Sequence, residues 1–187
     1  MSEIEGLPAN GCGPCNAAWC RGSHAIPGYA AGVASDDTNG YATPIRLAPT
    51  HAVFRPDEHI SQIAGAYALD AVELSTSTFH LTLDFTEESI ASLEQALARL
   101  HDSIAEKRPQ EDRIWTLAKA FGSYLGEVFR KAHGGEWGMV TLGESTFPGM
   151  RCEAKDLTFS PWIRAHQRIL RGAGDNIWHY YRGLCNQ

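Results

Sequence analysis

The sequence predicts an α+β fold: a helix-rich single domain of four to five helices, with a small antiparallel sheet before the last helices and an irregular N-terminal arm. Apolar residues recur at three- and four-residue steps from residue 56 onward, which indicates helices. Short apolar runs alternate with turn residues over 137–159, which indicates two or three strands. Because Gly, Pro and Cys are frequent before residue 56, we assign residues 1–55 to the arm and 56–187 to the domain.

Composition and charge limit the class of protein. A chain of 187 residues with 43% hydrophobic and 20% charged residues can bury one core. The net charge of −6 disfavours nucleic-acid binding and is compatible with a basic protein partner, or with solubility alone. No apolar window reaches the roughly 20 residues of a membrane span, and the acidic N-terminus MSEIEGLPANG does not resemble a signal peptide. We therefore expect a cytosolic protein whose cysteines are reduced unless they hold a metal or do redox work.

The first two helices are predicted from their start signals and apolar stripes. Pro56 and Asp57 suit the start of the first helix, which STSTF ends, and HLTLDF follows as an extended stretch. Asp84 or Thr86 can cap the second helix, whose apolar residues recur from Ile90 onward. EKRPQED is then the loop that leads into a third helix.

The third predicted helix, at roughly 111–132, carries a row of small residues. Ala118, Gly122 and Gly126 lie four apart and form a groove along one side. Each glycine costs a helix about 1 kcal/mol relative to alanine. We therefore expect another backbone or a bulky side chain to pack closely there, with Gly134 and Gly135 ending the helix.

The last helices follow the predicted strands. Ser160 and Pro161 form a helix start, and Asp175 is predicted to cap the final helix after GAGD. In that helix the inward residues are expected to be Ile177, Tyr180, Tyr181 and Leu184, and the outward ones Trp178, His179 and Arg182.

Three blocks carry a resemblance to a known family: AGAYALDAVELSTSTFHLTLDFTEESIASLE, FGSYLGEVFRKAHGGEW and GAGDNIWHYYRGL. With LDF-x-x-x-S-I, YLGEV…GGEW and DNIWHYY-like blocks in order, residues 57–184 resemble an uncharacterised family of small bacterial cytosolic proteins, a domain of unknown function. The resemblance implies an α-rich fold in the bacterial cytosol. It implies no activity, and the arm lies outside it.

The arm contains a candidate zinc site. Cys12, Cys15, Cys20 and His24 have the spacing C-x2-C-x4-C-x3-H, which offers four ligands to one structural zinc ion. The same stretch contains CGPC, a thioredoxin-like dithiol, but no strand precedes it as that fold requires. The alternative is a set of ordinary reduced cysteines in a packed arm.

A second candidate is acid–base chemistry at the end of the third helix. Glu127 lies beside the small-residue groove, near His133, Glu136 and Trp137, and a buried carboxylate with a raised pKa can act as a general base. The alternative is a structural carboxylate paired with Arg130 or Lys131.

The third candidate is a protein-binding surface. Trp137, Trp178, His179 and Arg182 are predicted binding residues. Tyr and Trp are enriched at interface hot spots, and the alternative role of these aromatics is core filling. No GxGxxG, Walker, GxSxG or HExxH motif occurs.

These observations favour a non-catalytic cytosolic protein-binding protein, and its size and acidity fit an immunity or adaptor protein of a bacterial toxin system. The alternatives are a small enzyme that uses Glu127 with a nearby histidine, or a zinc-stabilised regulatory module.

Overall fold

The structure, a computed structural model, describes residues 52–107 and 109–186. Over these residues it is an α+β fold with five α-helices and a small antiparallel sheet, as the sequence predicts. In chain order the elements are β1 (Ala52–Pro56), α1 (Glu58–Leu74), α2 (Ile90–Lys107), α3 (Glu111–His133), β2 (Glu136–Leu142), β3 (Ser145–Cys152), β4 (Leu157–Phe159), α4 (Pro161–Arg171) and α5 (Ile177–Cys185).

Helix α3 forms the centre of the molecule. It packs mainly against α1 and α4, and every residue from 120 to 129 is buried. The sequence pattern predicted one apolar face, whereas the structure encloses this stretch on all sides. Small side chains such as Ala120, Gly122 and Ser123 make this enclosure possible, because they leave room for neighbouring elements on the faces that carry no large apolar residue.

The predicted small-residue groove of α3 is confirmed. A Cβ atom placed on Gly122 would lie 2.6 Å from the carbonyl oxygen of Pro161, so the start of α4 packs directly on this glycine. A Cβ atom on Gly126 would overlap the indole ring of Trp137. The groove therefore receives a backbone at one position and a bulky side chain at the next.

The sheet has the order β1-β2-β3-β4, and all its pairs are antiparallel. Its first strand, β1, lies in the last residues of the predicted irregular arm. In β1, Val53 pairs with Thr141 of β2, far away in the sequence. Because no hairpin turn connects the two strands, local pattern gave no signal for β1.

Two of the predicted helix starts are confirmed and one is wrong. The Asp57 side chain accepts hydrogen bonds at the start of α1, and the Ser160 side chain caps α4 before Pro161. Helix α5 is capped by Asn176, not by Asp175. Asp175 instead forms a buried ion pair of 2.7 Å with Arg164 of α4, so its carboxylate is not available as a cap.

The segment STSTF forms a π-helical turn at Ser75–Phe79, which ends α1 as predicted. The following residues, 80–89, join α1 to α2 without forming a strand. This connection matters for the site below, because it passes over the C-terminal half of α3.

Several predictions concern residues before Ala52. Within the arm the sequence also predicts a short strand near Tyr41–Leu47. That strand and the predicted zinc ligands Cys12, Cys15, Cys20 and His24 lie outside the described residues. Within the described ranges, none of the helices combines the length and the apolar character needed to cross a membrane.

Candidate functional site

Tyr124 of α3 fixes the connection that carries Glu87. The buried Tyr124 hydroxyl accepts a hydrogen bond of 2.8 Å from the backbone N–H of Phe85 and contacts the Ser89 hydroxyl. Phe85 has a positive φ of 63°, a conformation that bulky residues adopt rarely, so this anchor holds a strained turn in place. As a result Glu87 lies at a defined position beside the end of α3.

Two helix ends supply the neighbours of Glu87. His133 is the last residue of α3, and Cys185 is the last residue of α5. The start of α5 is held by Glu94, whose carboxylate accepts from the backbone N–H of Ile177 at 2.7 Å. The end of α5 is held by Lys155, which donates to the Cys185 carbonyl oxygen at 2.7 Å.

Glu87, His133 and Cys185 converge to form what we call the Glu–His–Cys cluster. The Oε1 atom of Glu87 lies 3.0 Å from Nε2 of His133, and Sγ of Cys185 lies 3.2 Å from the same nitrogen. The third separation, from Sγ to Oε1, is 3.7 Å. About half of the Glu87 side chain is exposed, and His133 and Cys185 are half-buried, so the cluster opens to solvent.

Tyr181 completes the surroundings of the cluster. Its buried hydroxyl donates a hydrogen bond of 2.7 Å to Oε1 of Glu87, and this bond, together with His133, lowers the pKa of Glu87. Burial and the bond to Glu87 raise the pKa of the Tyr181 phenol, which therefore stays a donor. Burial and the nearby Glu87 carboxylate raise the pKa of the Cys185 thiol to about 11.

This arrangement differs from a catalytic Cys–His–acid triad. In a triad the acid contacts one ring nitrogen and the nucleophile contacts the other. Here the carboxylate of Glu87 and the thiol of Cys185 contact the same nitrogen, Nε2 of His133. The raised pKa of Cys185 also opposes formation of a nucleophilic thiolate. Three potential ligand atoms that lie within 3.7 Å of one another suit coordination of an ion better than nucleophilic attack.

Glu127, the candidate general base, has a closed environment. The Trp137 indole donates to Oε1 at 2.8 Å, and the Arg130 guanidinium donates to both carboxylate oxygens. The residue is buried, with 6% of its surface exposed. The structure thus contains the Arg130 pairing that the sequence offered as the alternative. In the structure, the His133 ring contacts Glu87 and not Glu127.

The predicted binding residues fall into two groups. Trp137 is buried with its indole bonded to Glu127, so it presents no surface to a partner in this arrangement. Trp178 is half-buried, and His179 and Arg182 are exposed on α5. The inward residues of that helix, Ile177, Tyr180, Tyr181 and Leu184, are buried, as predicted.

Sequence reasoning missed the Glu–His–Cys cluster because its members are far apart in the chain. Glu87 and His133 are separated by 46 residues, and His133 and Cys185 by 52. Metal-site signatures rely on short spacings, which exist only in the arm. The one available signal was helical spacing, since Cys185 follows Tyr181, a predicted inward residue, by one turn of α5.

Fold and site together define a small α+β protein with a solvent-open cluster of mixed carboxylate, imidazole and thiol donors. No family model matches the chain, and no curated protein matches it. The family resemblance given above therefore stays a prediction.

One solved structure with a similar fold is a crystal structure of a protein from Bacteroides thetaiotaomicron VPI-5482 at 1.50 Å resolution. The TM-score is 0.54 at 16% sequence identity. The match covers 81% of this chain and 51% of that one, so the present chain spans about half the length of its neighbour. At this identity the likeness shows the fold alone.

Proposed function

We propose that the protein is a non-catalytic, cytosolic protein-binding protein that contacts its partner through the outward face of α5. The observation that carries this proposal is that one short helix presents the half-buried Trp178 beside the exposed His179 and Arg182. The Arg182 guanidinium lies 6.0 Å from the centre of the Trp178 ring. Trp and Arg are the residue types most enriched among interface hot spots.

The environment of Glu127 supports a binding protein over the alternative enzyme. A general base must reach the proton that it removes, and it needs a free lone pair for that purpose. Both carboxylate oxygens of Glu127 accept bonds from Arg130, and Trp137 adds a third donor. No observation in this region favours acid–base chemistry.

The partner that we propose is a basic protein. The chain carries 22 acidic and 16 basic residues, and this excess steers a positively charged partner over distances of about 10 Å at 0.1 M salt. Contact itself involves the indole and guanidinium groups of α5. Within a bacterial toxin system, such a protein acts as an immunity or adaptor protein.

The test begins with affinity capture by the full chain from the organism that encodes it, followed by titration of the purified partner. We expect Trp178→Ala to weaken the Kd about 30-fold, as a hot spot of about 2 kcal/mol does, with a smaller loss for Arg182→Ala. The matched control is Leu69→Ala, which truncates a side chain that is 62% exposed on α1 and should leave the Kd unchanged. Because Trp178 is half-buried, melting curves must show that each variant is folded.

Two outcomes would contradict the proposal. A partner whose Kd is the same for wild type, Trp178→Ala and Arg182→Ala would place the interface elsewhere. Association rates that do not fall as salt rises would exclude charge steering of a basic partner.

For the immunity role, co-expression with a captured toxin should restore growth, and Trp178→Ala should reduce that protection.

A further inference from the structure

We propose that Glu87, His133 and Cys185 bind one Zn²⁺ ion through Oε1, Nε2 and Sγ, with a fourth position open to solvent. None of these three ligands belongs to the cysteine motif of the arm. A zinc site here also goes beyond the proposed protein-binding function and does not depend on it.

The geometry of the three donor atoms supports the inference. Their separations of 3.0, 3.2 and 3.7 Å are close to the edges of about 3.3–3.6 Å of a tetrahedral zinc site. A circle through the three atoms has a radius of about 1.9 Å, so an ion at the usual ~2.0–2.3 Å from each lies about 1 Å from their plane. In a tetrahedron that offset is about 0.7 Å, so only small side-chain adjustments are needed.

The donor chemistry selects the class of metal. One thiolate, one imidazole and one carboxylate are the three ligand types that zinc uses in proteins, whereas Mg²⁺ and Ca²⁺ prefer oxygen donors alone. On binding, the Cys185 thiol gives its proton to solvent and its sulfur takes the metal, so no redox partner is required. The half-exposed position of the cluster supplies an entry path for the ion.

The surroundings of the ligands resemble the supporting shell of a metal site. Tyr181 donates to the oxygen of Glu87 that faces the other two ligands, and this contact fixes the orientation of the carboxylate. Tyr124 fixes the turn that carries Glu87, and Lys155 fixes the helix end that carries Cys185. Three separate parts of the chain are therefore held so that their metal-ligand atoms lie close together.

The test uses the full chain with Cys12→Ser, Cys15→Ser and Cys20→Ser, so that the arm cannot contribute thiolates. We expect this protein to bind one equivalent of Co²⁺, a spectroscopic substitute for Zn²⁺, with a thiolate-to-cobalt charge-transfer band. Added Zn²⁺ should displace the cobalt and raise the melting temperature. Cys185→Ala should remove the band, and His133→Ala should remove tight binding.

Two further variants sharpen the result. Cys152→Ala is the matched thiol control, because Cys152 is a free buried cysteine outside the cluster, and this variant should keep the band and the stoichiometry. Tyr181→Phe retains all three ligands and should weaken binding about 10- to 100-fold. Equal metal binding with and without Cys185, or no binding above that of His133→Ala, would overturn the proposal. Neither result would alter the partner affinities measured for the α5 variants.

Discussion

Two carboxylates near the C-terminal half of α3 have opposite environments. Glu127 is buried, and its two hydrogen-bond partners, the Trp137 indole and the Arg130 guanidinium, are both donor groups. Glu87 is half-exposed, and its Oε1 faces Nε2 of His133 and Sγ of Cys185, which are themselves ligand atoms. A carboxylate enclosed by hydrogen-bond donors stabilises the fold, whereas a carboxylate that lies next to other potential ligand atoms can bind an ion. The partners, and not the depth of burial, distinguish a structural acid from a candidate site.

The largest expected effect comes from removing each carboxylate in turn. Glu127→Ala leaves the buried indole N–H of Trp137 without an acceptor and should lower the free energy of unfolding by about 3 kcal/mol. Glu87→Ala should lower it by about 1 kcal/mol, because water can reach the half-exposed cluster and replace the lost oxygen. Urea denaturation in the presence of a chelator measures both values without a contribution from metal.

The conservative variant Glu127→Gln provides the control for this pair, since it keeps an acceptor for Trp137 and removes the charge beside Arg130. The free energy of unfolding of Glu127→Gln should lie between those of wild type and Glu127→Ala. If Glu87→Ala were the more destabilising change, the distinction between a structural and a ligand carboxylate would be wrong.

A smaller effect is expected where α3 receives its neighbours. Gly122→Ala should lower the free energy of unfolding by about 2 kcal/mol, because the new Cβ meets the Pro161 backbone, which cannot move without shifting α4. The matched change Gly65→Ala, in α1, meets nothing within 4 Å and should raise it by about 1 kcal/mol through helix propensity. Thermal melts of the two variants should shift in opposite directions; a shift of the same sign would contradict the close approach at Gly122.

The smallest effect concerns a histidine outside the cluster. His166 stacks on Trp115 with ring centres 3.9 Å apart, and burial lowers its pKa from 6.5, with Glu111 opposing and Arg171 reinforcing the shift. Its neutral form therefore stabilises the fold fully above pH 6.5, and this contribution declines as pH falls, since the unfolded chain takes up the proton first. His166→Phe keeps the stack and should flatten the decrease in stability between pH 7.5 and 5.5 measured by urea denaturation. An unchanged pH slope would show that His166 does not titrate differently on folding.

The helices could be predicted because their signals are local. The start of α1 at Asp57 and the start of α4 at Ser160 follow from side chains that cap the next turn. The start of α5 was misplaced by one residue, since Asp175 and Asn176 are both good caps and only the distant Arg164 decides between them. The strand β1 was missed for a similar reason, because its partner β2 lies some 80 positions further along the chain.

The candidate site was out of reach of local reasoning. The sequence places His133 close to Glu127, but in the structure the His133 ring contacts Glu87 and Cys185. Which residues His133 contacts depends on where the connection before α2 and the end of α5 lie in space. Short spacing instead predicts a site at Cys12, Cys15, Cys20 and His24, which lie outside the described residues.

The enclosure of α3 determines how the molecule can open. The backbone N–H groups from Gly122 to Phe129 belong to a fully buried stretch of α3 that packs mainly against α1 and α4, so solvent deuterium can reach them only when those neighbours separate. Their exchange should therefore report the full free energy of unfolding. The exposed strand β1 and the C-terminal turn of α2 should exchange through smaller openings. A protease that cleaves the α2–α3 connection would then leave the centre of the fold assembled.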